Sequence, residues 1–341
     1  MNQIRLQSFI LVAIVMTSVL VSSRGANDSF VDAESIETTQ KSIALSTQSE
    51  IQSPEKHPVA KNISAPTQNS DLKSKNLTAT FIEAESTPNL KNTEIKDEEN
   101  RDAIPEIKAT AFAAKLMNEN QNILEKGPSV RWPLASLTKL MTAIISRENI
   151  QRGTRIAINE NALNSEGASG NFAVGEEYVI EDILKAMLLV SSNDAAEAVA
   201  DWYGREKFID AMERKATELK MKQTSSSDPT GLSYLNQSTV EDLEKLIAYI
   251  NENHPEIFEI TTRREGIIRN LKTNSVRKLI NINALVGHKD WRGGKTGFTN
   301  EAEGNLVSLF RNNGDTLLII VLGTENRFEE TLKLYDYLRS R

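Results

Sequence analysis

The 341-residue chain contains no cysteine and only three histidines, His57, His254 and His288. The absence of cysteine excludes disulfides, thiolate catalysis and cysteine-ligated zinc, and no His-Glu-x-x-His pair is present to bind zinc in a peptidase. Neither His254 nor His288 lies in a motif that supports a Ser-His-Asp triad. The net charge of −7 leaves no basic excess for nucleic acid. We therefore expect no nucleic-acid partner, no metal and no cofactor, and a hydrolytic base other than histidine.

The N-terminus carries the pattern of an export signal. Arg5 precedes a nearly unbroken apolar run over residues 9–21, which is typical of a secretory signal. A membrane-spanning helix needs roughly 20 apolar residues, so this run is short for one. We predict that residues 1–26 form a signal peptide or an N-terminal membrane anchor. The remainder is then exported to the extracytoplasmic face of the membrane, the periplasm or the cell wall.

Residues 27–105 are rich in Ser, Thr, Asn, Gln, Glu and Lys, with scattered apolar residues and no sustained period. Such a segment buries too little apolar surface to offset the entropy of ordering, which predicts a disordered linker. As a flexible coil it has an end-to-end distance of about 50 Å. The linker is therefore long enough to hold a folded domain away from a membrane.

Residues 106–341 have the periodicity of a folded domain. Strands are predicted at 109–117 and 122–126 and at 304–311 and 316–324, and the last two are joined by an Asn-Asn-Gly-Asp turn. Helices are predicted at 136–147, 181–190, 193–203, 208–219, 239–251 and 327–338. Strands at both ends and helices between them predict an α/β domain with a helical insertion. We assign to the core Leu137, Met141, Phe172, Tyr178, Trp202 and Tyr203. Trp291 lies near the candidate site in sequence, and its assignment to the core or to the site lining stays open.

The central motif is Ser136-Leu-Thr-Lys139. On a helix, residues three apart share a face, which predicts that Lys139 lies beside the Ser136 hydroxyl. A desolvated lysine near other cations can serve as the base that serine needs, and a backbone N–H at the helix start can bind an oxyanion. The same pattern recurs at Ser53, Ser70 and Ser275. Only Ser136 has an apolar helix behind it and partner motifs downstream.

The first partner motif is Ser191-Ser192-Asn193, which joins two predicted helices. A hydroxyl there could relay a proton to a leaving group, and an amide could hold both the substrate backbone and the Ser-Lys pair. We also predict that Asn193 is a helix N-cap. Ser169-Gly-Asn171 has the same form, but it lies in a glycine-rich polar stretch, so 191–193 is preferred.

The second partner motif is Lys295-Thr296-Gly297, which occurs once in the chain and follows two glycines. Glycine in a strand lets a substrate lie along the strand edge. Lys295 would supply positive charge near the nucleophile, and Thr296 or Thr299 could bind a substrate carboxylate. The N–H of Phe298 is placed to complete an oxyanion hole with that of the serine nucleophile.

In this order, the three motifs resemble those of the low-molecular-weight penicillin-binding proteins, specifically the serine D-alanyl-D-alanine carboxypeptidases. The surrounding sequence extends the likeness: 133–142 resembles the family's nucleophile segment, 188–196 its second segment, 228–233 a turn typical of the family and 294–302 its third segment. The resemblance covers essentially all of 106–341 and none of 1–105.

The resemblance implies a β-lactamase/transpeptidase-like fold, with a mainly antiparallel sheet flanked by helices and an all-helical subdomain. It implies a serine-type carboxypeptidase of the bacterial cell wall that trims peptidoglycan stem peptides ending in D-Ala-D-Ala. The serine attacks the peptide carbonyl, D-Ala leaves, and water resolves the acyl-enzyme; β-lactams trap the same serine. The implied catalytic residues are Ser136, Lys139, Ser191, Asn193 and Lys295. The implied substrate-binding residues are Thr296, Gly297, Phe298 and Thr299.

Three departures from the patterns of related enzymes and several alternatives remain. Ser192 stands where class A β-lactamases typically have Asp, and no downstream Glu-x-x-Leu-Asn element is found, which argues against a β-lactamase. About 44 residues follow Gly297, too few for the C-terminal domain and anchor of many carboxypeptidases, so we expect membrane contact only through the N-terminal segment. The alternatives are a D,D-endopeptidase with the same residues, a catalytically silent penicillin-fold binding or regulatory module, and a scaffold whose linker binds partners.

Overall fold

The computed structural model describes residues 104–119, 122–167 and 170–339. The predicted signal or anchor, all but the end of the predicted linker, and Ser169 lie outside these ranges. Within them, no helix combines the length and the apolar character that crossing a bilayer requires.

The strands lie at both ends of the domain and in short pairs between. Their bounds are β1 Ala111–Leu116, β2 Leu124–Lys126, β3 Trp132–Pro133, β4 Arg155–Ala157, β5 Glu177–Val179, β6 Gln237–Ser238, β7 Glu265–Arg269, β8 Val276–Ile280, β9 Trp291–Thr299, β10 Glu303–Asn312 and β11 Asp315–Thr324. The helices are α1 Thr138–Asn149, α2 Glu160–Leu163, α3 Ile180–Leu189, α4 Asn193–Tyr203, α5 Arg205–Glu218, α6 Val240–Asn253, α7 Glu256–Thr261 and α8 Arg327–Arg339.

A five-stranded antiparallel sheet in the order β2-β1-β11-β10-β9 forms the centre of the domain. Strands β10 and β11 form the predicted hairpin, with Asn312 paired to Asp315 across the turn. Strand β1 pairs with β11 from the other end of the domain, so the sheet joins segments that are far apart in sequence, as predicted. Strand β9, which carries the Lys-Thr-Gly motif, is an edge strand.

Each face of this sheet is covered by a separate apolar cluster, because neighbouring residues on a strand point to opposite faces. On β10, Val307 and Leu309 join the large cluster formed with the helices of the domain's middle. Leu306 and Phe310 join the smaller cluster with Leu334 and Tyr335 of α8. The antiparallel sheet between helical layers confirms the predicted fold class.

The predicted helices are present with shifts of one to three residues at most ends. Two predictions at the site are corrected. Ser136 lies in a 3-10 turn, Ala135–Leu137, and the α-helix begins at Thr138. Ser192, and not Asn193, is the N-cap of α4, since its hydroxyl accepts from the Ala195 N–H at 3.1 Å. The antiparallel pair β7–β8 was not predicted.

Candidate active site

Ser136 is presented by a turn that sits against the edge strand β9. Ala135, just before it, has a positive φ of 47°, a left-handed conformation that is costly for a residue with a Cβ. A Cβ on Gly297 of β9 would lie 2.8 Å from the Leu134 carbonyl oxygen and 3.3 Å from the Ala135 Cβ. The glycine of the Lys-Thr-Gly motif therefore allows the serine-bearing turn to approach the strand, and Ser136 itself is half-buried.

Lys139, three residues along, is fully buried. Its Nζ donates to the Ser136 Oγ at 2.9 Å, to the Asn193 Oδ1 at 2.6 Å and to the Thr230 carbonyl oxygen at 2.8 Å. Burial lowers the pKa of Lys139 to about 7, against the charges of Asp228 and Glu197, which raise it. A lysine with such a pKa is in part neutral near neutral pH and can accept the serine proton.

The Thr230 carbonyl is held by a turn built around Asp228. The Asp228 Oδ1 accepts from the Thr230 and Gly231 N–H groups at 2.7 Å each, and its Oδ2 accepts from the Ser233 N–H at 2.9 Å. The side chain of Asn236 closes the turn, because its Nδ2 donates to the Asp228 carbonyl and to the Thr138 hydroxyl. The turn thereby fixes the Thr230 carbonyl, which is the third hydrogen-bond acceptor of the Lys139 amine.

The Ser191-Ser192-Asn193 segment joins α3 to α4. Ser191 has a positive φ of 58°, and its side chain is half-buried. The Asn193 amide accepts from Lys139 through Oδ1 and donates through Nδ2 to the Glu166 carbonyl oxygen at 2.7 Å. Neighbouring serines therefore have different surroundings: Ser191 faces the second lysine, and Ser192 holds the helix end.

Lys295 is the second buried amine of the site. Its Nζ donates to the Ser191 Oγ at 2.8 Å and to the Thr296 carbonyl oxygen at 2.9 Å. Burial, followed by the charges of Lys139 and Arg327, holds the pKa of Lys295 well below its ordinary value. Two Ser–Lys pairs, 136 with 139 and 191 with 295, thus meet beside one strand edge.

The remaining residues of β9 differ in their environment. Thr296 follows Lys295 on the edge strand and pairs with Leu306, and its side chain is buried. Phe298 is 60% exposed, with the Arg327 guanidinium 5.9 Å from its ring centroid. The Thr299 hydroxyl accepts from the Ala302 N–H at 3.1 Å, in the turn to β10.

Several features of the site were not identified from sequence. The 228–233 turn was singled out, but its carbonyl contact with Lys139 was not. Glu197 and Arg327, whose charges act on the two lysines, carried no motif; the Glu197 position, one helical turn after Asn193, was the only signal. In the described ranges, no group of three or more His, Cys, Asp or Glu residues could hold a metal ion.

The profile of one protein family, described as D-alanyl-D-alanine carboxypeptidase, matches residues 98–326 of this chain. The chain belongs to this family. The match includes all three motifs and the Asp228 turn, so the family assignment and the geometry concern the same residues.

Individual relatives and one solved structure show how the similarity is distributed. A D-alanyl-D-alanine endopeptidase of Pseudomonas aeruginosa is 32% identical over 65% of this chain and 74% of its own length. The D-alanyl-D-alanine carboxypeptidase DacF of Bacillus subtilis is 28% identical over 64% of this chain and 59% of its own. The structure of penicillin-binding protein D2 of Listeria monocytogenes, in its cefotaxime-bound form, matches with a TM-score of 0.61 and 29% identity, over 68% of this chain and 98% of the other.

Proposed function

We propose that this chain is a serine-type D-alanyl-D-alanine carboxypeptidase that trims peptidoglycan stem peptides and is acylated by penicillins at Ser136. The observation that carries the proposal is the 2.9 Å hydrogen bond between the buried Lys139 amine and the Ser136 hydroxyl. A buried amine with a pKa near 7 is suited to take up the serine proton at neutral pH.

Acylation would proceed in two proton transfers. The Ser136 Oγ bonds to the carbonyl carbon of the D-Ala-D-Ala peptide bond while its proton passes to the neutral Lys139 amine. The resulting oxyanion is bound by the backbone N–H groups of Ser136 and Phe298. The C–N bond then breaks, and the departing D-Ala amine takes a proton from Ser191, which Lys295 can replenish through their 2.8 Å hydrogen bond.

Deacylation would return the enzyme by the reverse proton route. The Lys139 amine first loses the proton taken up in acylation, and Lys295 regains one, both by exchange with solvent. Water then attacks the ester carbonyl and gives a proton to the neutral Lys139 amine, and the Ser136 oxygen takes that proton as its bond to the carbonyl carbon breaks. Thr296 or Thr299 would bind the terminal carboxylate of the substrate, beside the positive field of Lys295. Gly297 leaves room for the substrate backbone along β9.

The test is the intact mass of the full chain after incubation with a penicillin, beside Ser136→Ala and Lys278→Met. We expect one penicillin added to the wild-type chain and to Lys278→Met, whose exposed lysine belongs to a strand away from the site. Ser136→Ala should remain unmodified. An adduct that persists in Ser136→Ala, or none on the folded wild-type chain, would overturn the assignment and favour a catalytically silent binding module.

A D,D-endopeptidase activity is the second candidate, favoured by three relatives of 30% identity or more that are endopeptidases. The Pseudomonas aeruginosa relative at 32% identity is an endopeptidase, whereas the Bacillus subtilis relative at 28% is a carboxypeptidase. Both reactions would use the same acyl-enzyme and differ in the leaving group. Parallel assays decide between them: release of D-Ala from a pentapeptide indicates a carboxypeptidase, and cleavage of a cross-linked peptide dimer without D-Ala release indicates an endopeptidase.

The site of action and the N-terminal organisation belong to the same proposal. Peptidoglycan lies outside the cytoplasmic membrane, so residues 1–26 would direct export, residues 27–105 would act as the linker and 106–341 as the enzyme. N-terminal sequencing of the chain recovered from membrane and extracytoplasmic soluble fractions tests this. A cleaved N-terminus in the soluble fraction indicates a signal peptide, an intact one in the membrane an anchor, and a wholly cytoplasmic chain contradicts export.

A further inference from the structure

The strand pair β7–β8 presents aliphatic side chains to solvent. Its inner face is closely packed, since a Cβ on Gly266 would lie 2.6 Å from the Leu189 side chain of α3. Ile268 and Leu279 of the same face join the large apolar cluster. A strand pair that is covered on one face is normally polar on the other. Here, four aliphatic side chains of the segment are each 55–58% exposed, namely Ile267, Val276, Ile280 and, two residues beyond β8, Ile282.

The strand register brings three of these side chains together. Each cross-strand pair of the outer face joins one apolar and one charged residue, and the pairs are Glu265–Ile280, Ile267–Lys278 and Arg269–Val276. Ile267 is therefore the diagonal neighbour of both Ile280 and Val276. The outer face carries an apolar stripe with charged side chains on both sides of it.

The charge of this segment has the opposite sign to that of the chain. The chain has a net charge of −7, whereas residues 263–282 include six Lys and Arg residues and a single acidic residue, Glu265. Glu265 pairs with Lys278, and Arg277 of the inner face pairs with Glu176. The other four cations are exposed and form no ion pair within the described ranges, and these are Arg263, Arg264, Arg269 and Lys272.

The combination of exposed cations and aliphatic side chains fits the surface of an anionic lipid bilayer. Lys and Arg bind the phosphate headgroups, and aliphatic side chains enter the boundary between headgroups and acyl chains. A glycan strand fits less well, because residues 263–282 contain no aromatic ring on which a sugar could stack. The turn between the strands, residues 270–275, is polar apart from the half-buried Leu271, so the flat face and not the tip of the hairpin is suited to a membrane.

We propose that the outer face of β7–β8 is a docking surface for an anionic phospholipid membrane. The inference goes beyond the proposed function and uses none of the chemistry at Ser136. It has a consequence for the site, because the Ile282 N–H donates to the Leu189 carbonyl oxygen at 3.1 Å, two residues before Ser191. Docking of the hairpin would hold this side of the candidate site at the membrane surface.

The absence of cysteine allows one fluorophore to be placed at a chosen residue of the full chain. Val276→Cys carries an environment-sensitive dye on the outer face, and Asn251→Cys carries the same dye on an exposed residue of α6. Each labelled chain is mixed with vesicles of equal parts phosphatidylglycerol and phosphatidylcholine, or of phosphatidylcholine alone. Because the dye reports its own surroundings, binding of the apolar run at 9–21 does not by itself produce a signal at residue 276.

We expect a blue shift of the emission at residue 276 with the anionic vesicles, and none at residue 251 or with phosphatidylcholine alone. About 0.5 M NaCl should reverse most of the shift, because salt screens exposed charges. Arg263→Gln with Lys272→Gln, in the Val276→Cys chain, should lower the ratio of bound to free label about 10-fold or more. The matched control is Lys207→Gln with Lys222→Gln, which removes two exposed cations outside the hairpin and should change the ratio less than about 2-fold.

An unshifted label at residue 276 on anionic vesicles would overturn the inference, as would equal shifts at residues 251 and 276 or equal effects of the two double variants. A shift that soluble peptidoglycan fragments produce and vesicles do not would assign the face to the cell wall instead. Thermal melting checks folding, and Ile280→Cys carries the label if Val276→Cys is unfolded. Penicillin acylation of Ser136 is measured on the same chains, so a failure of the proposed function is recorded separately from a failure of membrane docking.

Discussion

A Cβ atom on Gly231 would lie 1.8 Å from the carbonyl oxygen of Ala135, the residue that precedes the candidate nucleophile. Gly231 also has a φ of +86°, which favours glycine. The Asp228 turn is therefore in direct backbone contact with the turn that presents Ser136. The same Asp228 turn supplies the Thr230 carbonyl that accepts a hydrogen bond from Lys139. The contact between the two turns therefore fixes the position of Ser136 relative to this acceptor.

Gly231→Ala is expected to separate these two turns. The forced contact and the positive φ should together cost about 2–5 kcal/mol of unfolding free energy, and penicillin acylation should fall at least about 100-fold. Gly314→Ala is the matched control, since Gly314 has a φ of +96° with open space around its Cβ position. It should cost about 1–2 kcal/mol and leave acylation unchanged. Equal losses of stability and acylation in the two variants would contradict the contact argument; urea unfolding and acylation rates measure both.

Ser191→Ala and Ser192→Ala should have opposite effects, although the residues are neighbours. Ser191→Ala removes the hydroxyl next to the Lys295 amine and should slow acylation about 100-fold or more, with little change in melting temperature. Ser192→Ala removes the N-cap of α4, which should cost about 1 kcal/mol with acylation nearly retained. Acylation rate and thermal melting of both variants make the comparison. Loss of acylation in Ser192→Ala alone would contradict the assignment of the proton relay to Ser191.

The acylation rate should rise with pH through a midpoint near 7, since burial lowers the pKa of Lys139 to about 7 and only the neutral amine is a base. Lys139→Met should lower the rate by about 100-fold or more at every pH, and the residual rate should have lost this limb. Stopped-flow or quenched acylation with a chromogenic β-lactam gives the profile. A limb near pH 7 that survives in Lys139→Met would have to arise from another group.

Stability should depend on pH for the same reason. Between pH 7 and the ordinary lysine value of 10.5, the unfolded chain holds the Lys139 proton and the folded chain does not, so the free energy of unfolding rises with pH. The slope from this group approaches about 1.4 kcal/mol per pH unit. Lys139→Met should reduce the slope between pH 7.5 and 9.5, leaving the part due to Lys295, whose pKa is also lowered, and the exposed Lys278→Met should leave the slope unchanged. Urea unfolding at three pH values tests this, and equal slopes in wild type and Lys139→Met would contradict it.

The elements that sequence predicted best are those with strong periodicity or turn chemistry. The β10–β11 hairpin followed from its Asn-Asn-Gly-Asp turn, and α4 has the bounds predicted for it, residues 193–203. The pair β7–β8 was missed because its exposed face carries Ile267, Val276 and Ile280 beside charged residues, which obscures the alternation.

Side-chain burial was harder to predict than secondary structure. Trp202 was assigned to the core, yet it is 48% exposed near the end of α4. The assignment of Trp291 stayed open from sequence, and the structure packs it with Phe310 in the cluster on the far face of the sheet. The register between β9 and β10 shifts between Leu309 and Phe310, and this bulge places the Trp291 side chain on the far face. Such a register shift has no sequence signal of its own.

The contacts around the two lysines join parts of the chain that are far apart in sequence. Lys139 contacts Asn193 and Thr230, which follow it by 54 and 91 residues, and Lys295 contacts Ser191 across 104 residues. Contacts between residues so far apart in sequence form late in folding. The conformational entropy of the intervening loop is lost before the contacts form. In a partly folded chain both amines would remain hydrated and protonated. The enzyme is therefore inert until its tertiary structure is complete, and the rate at which a labelled penicillin becomes attached during refolding measures the arrival of the native state.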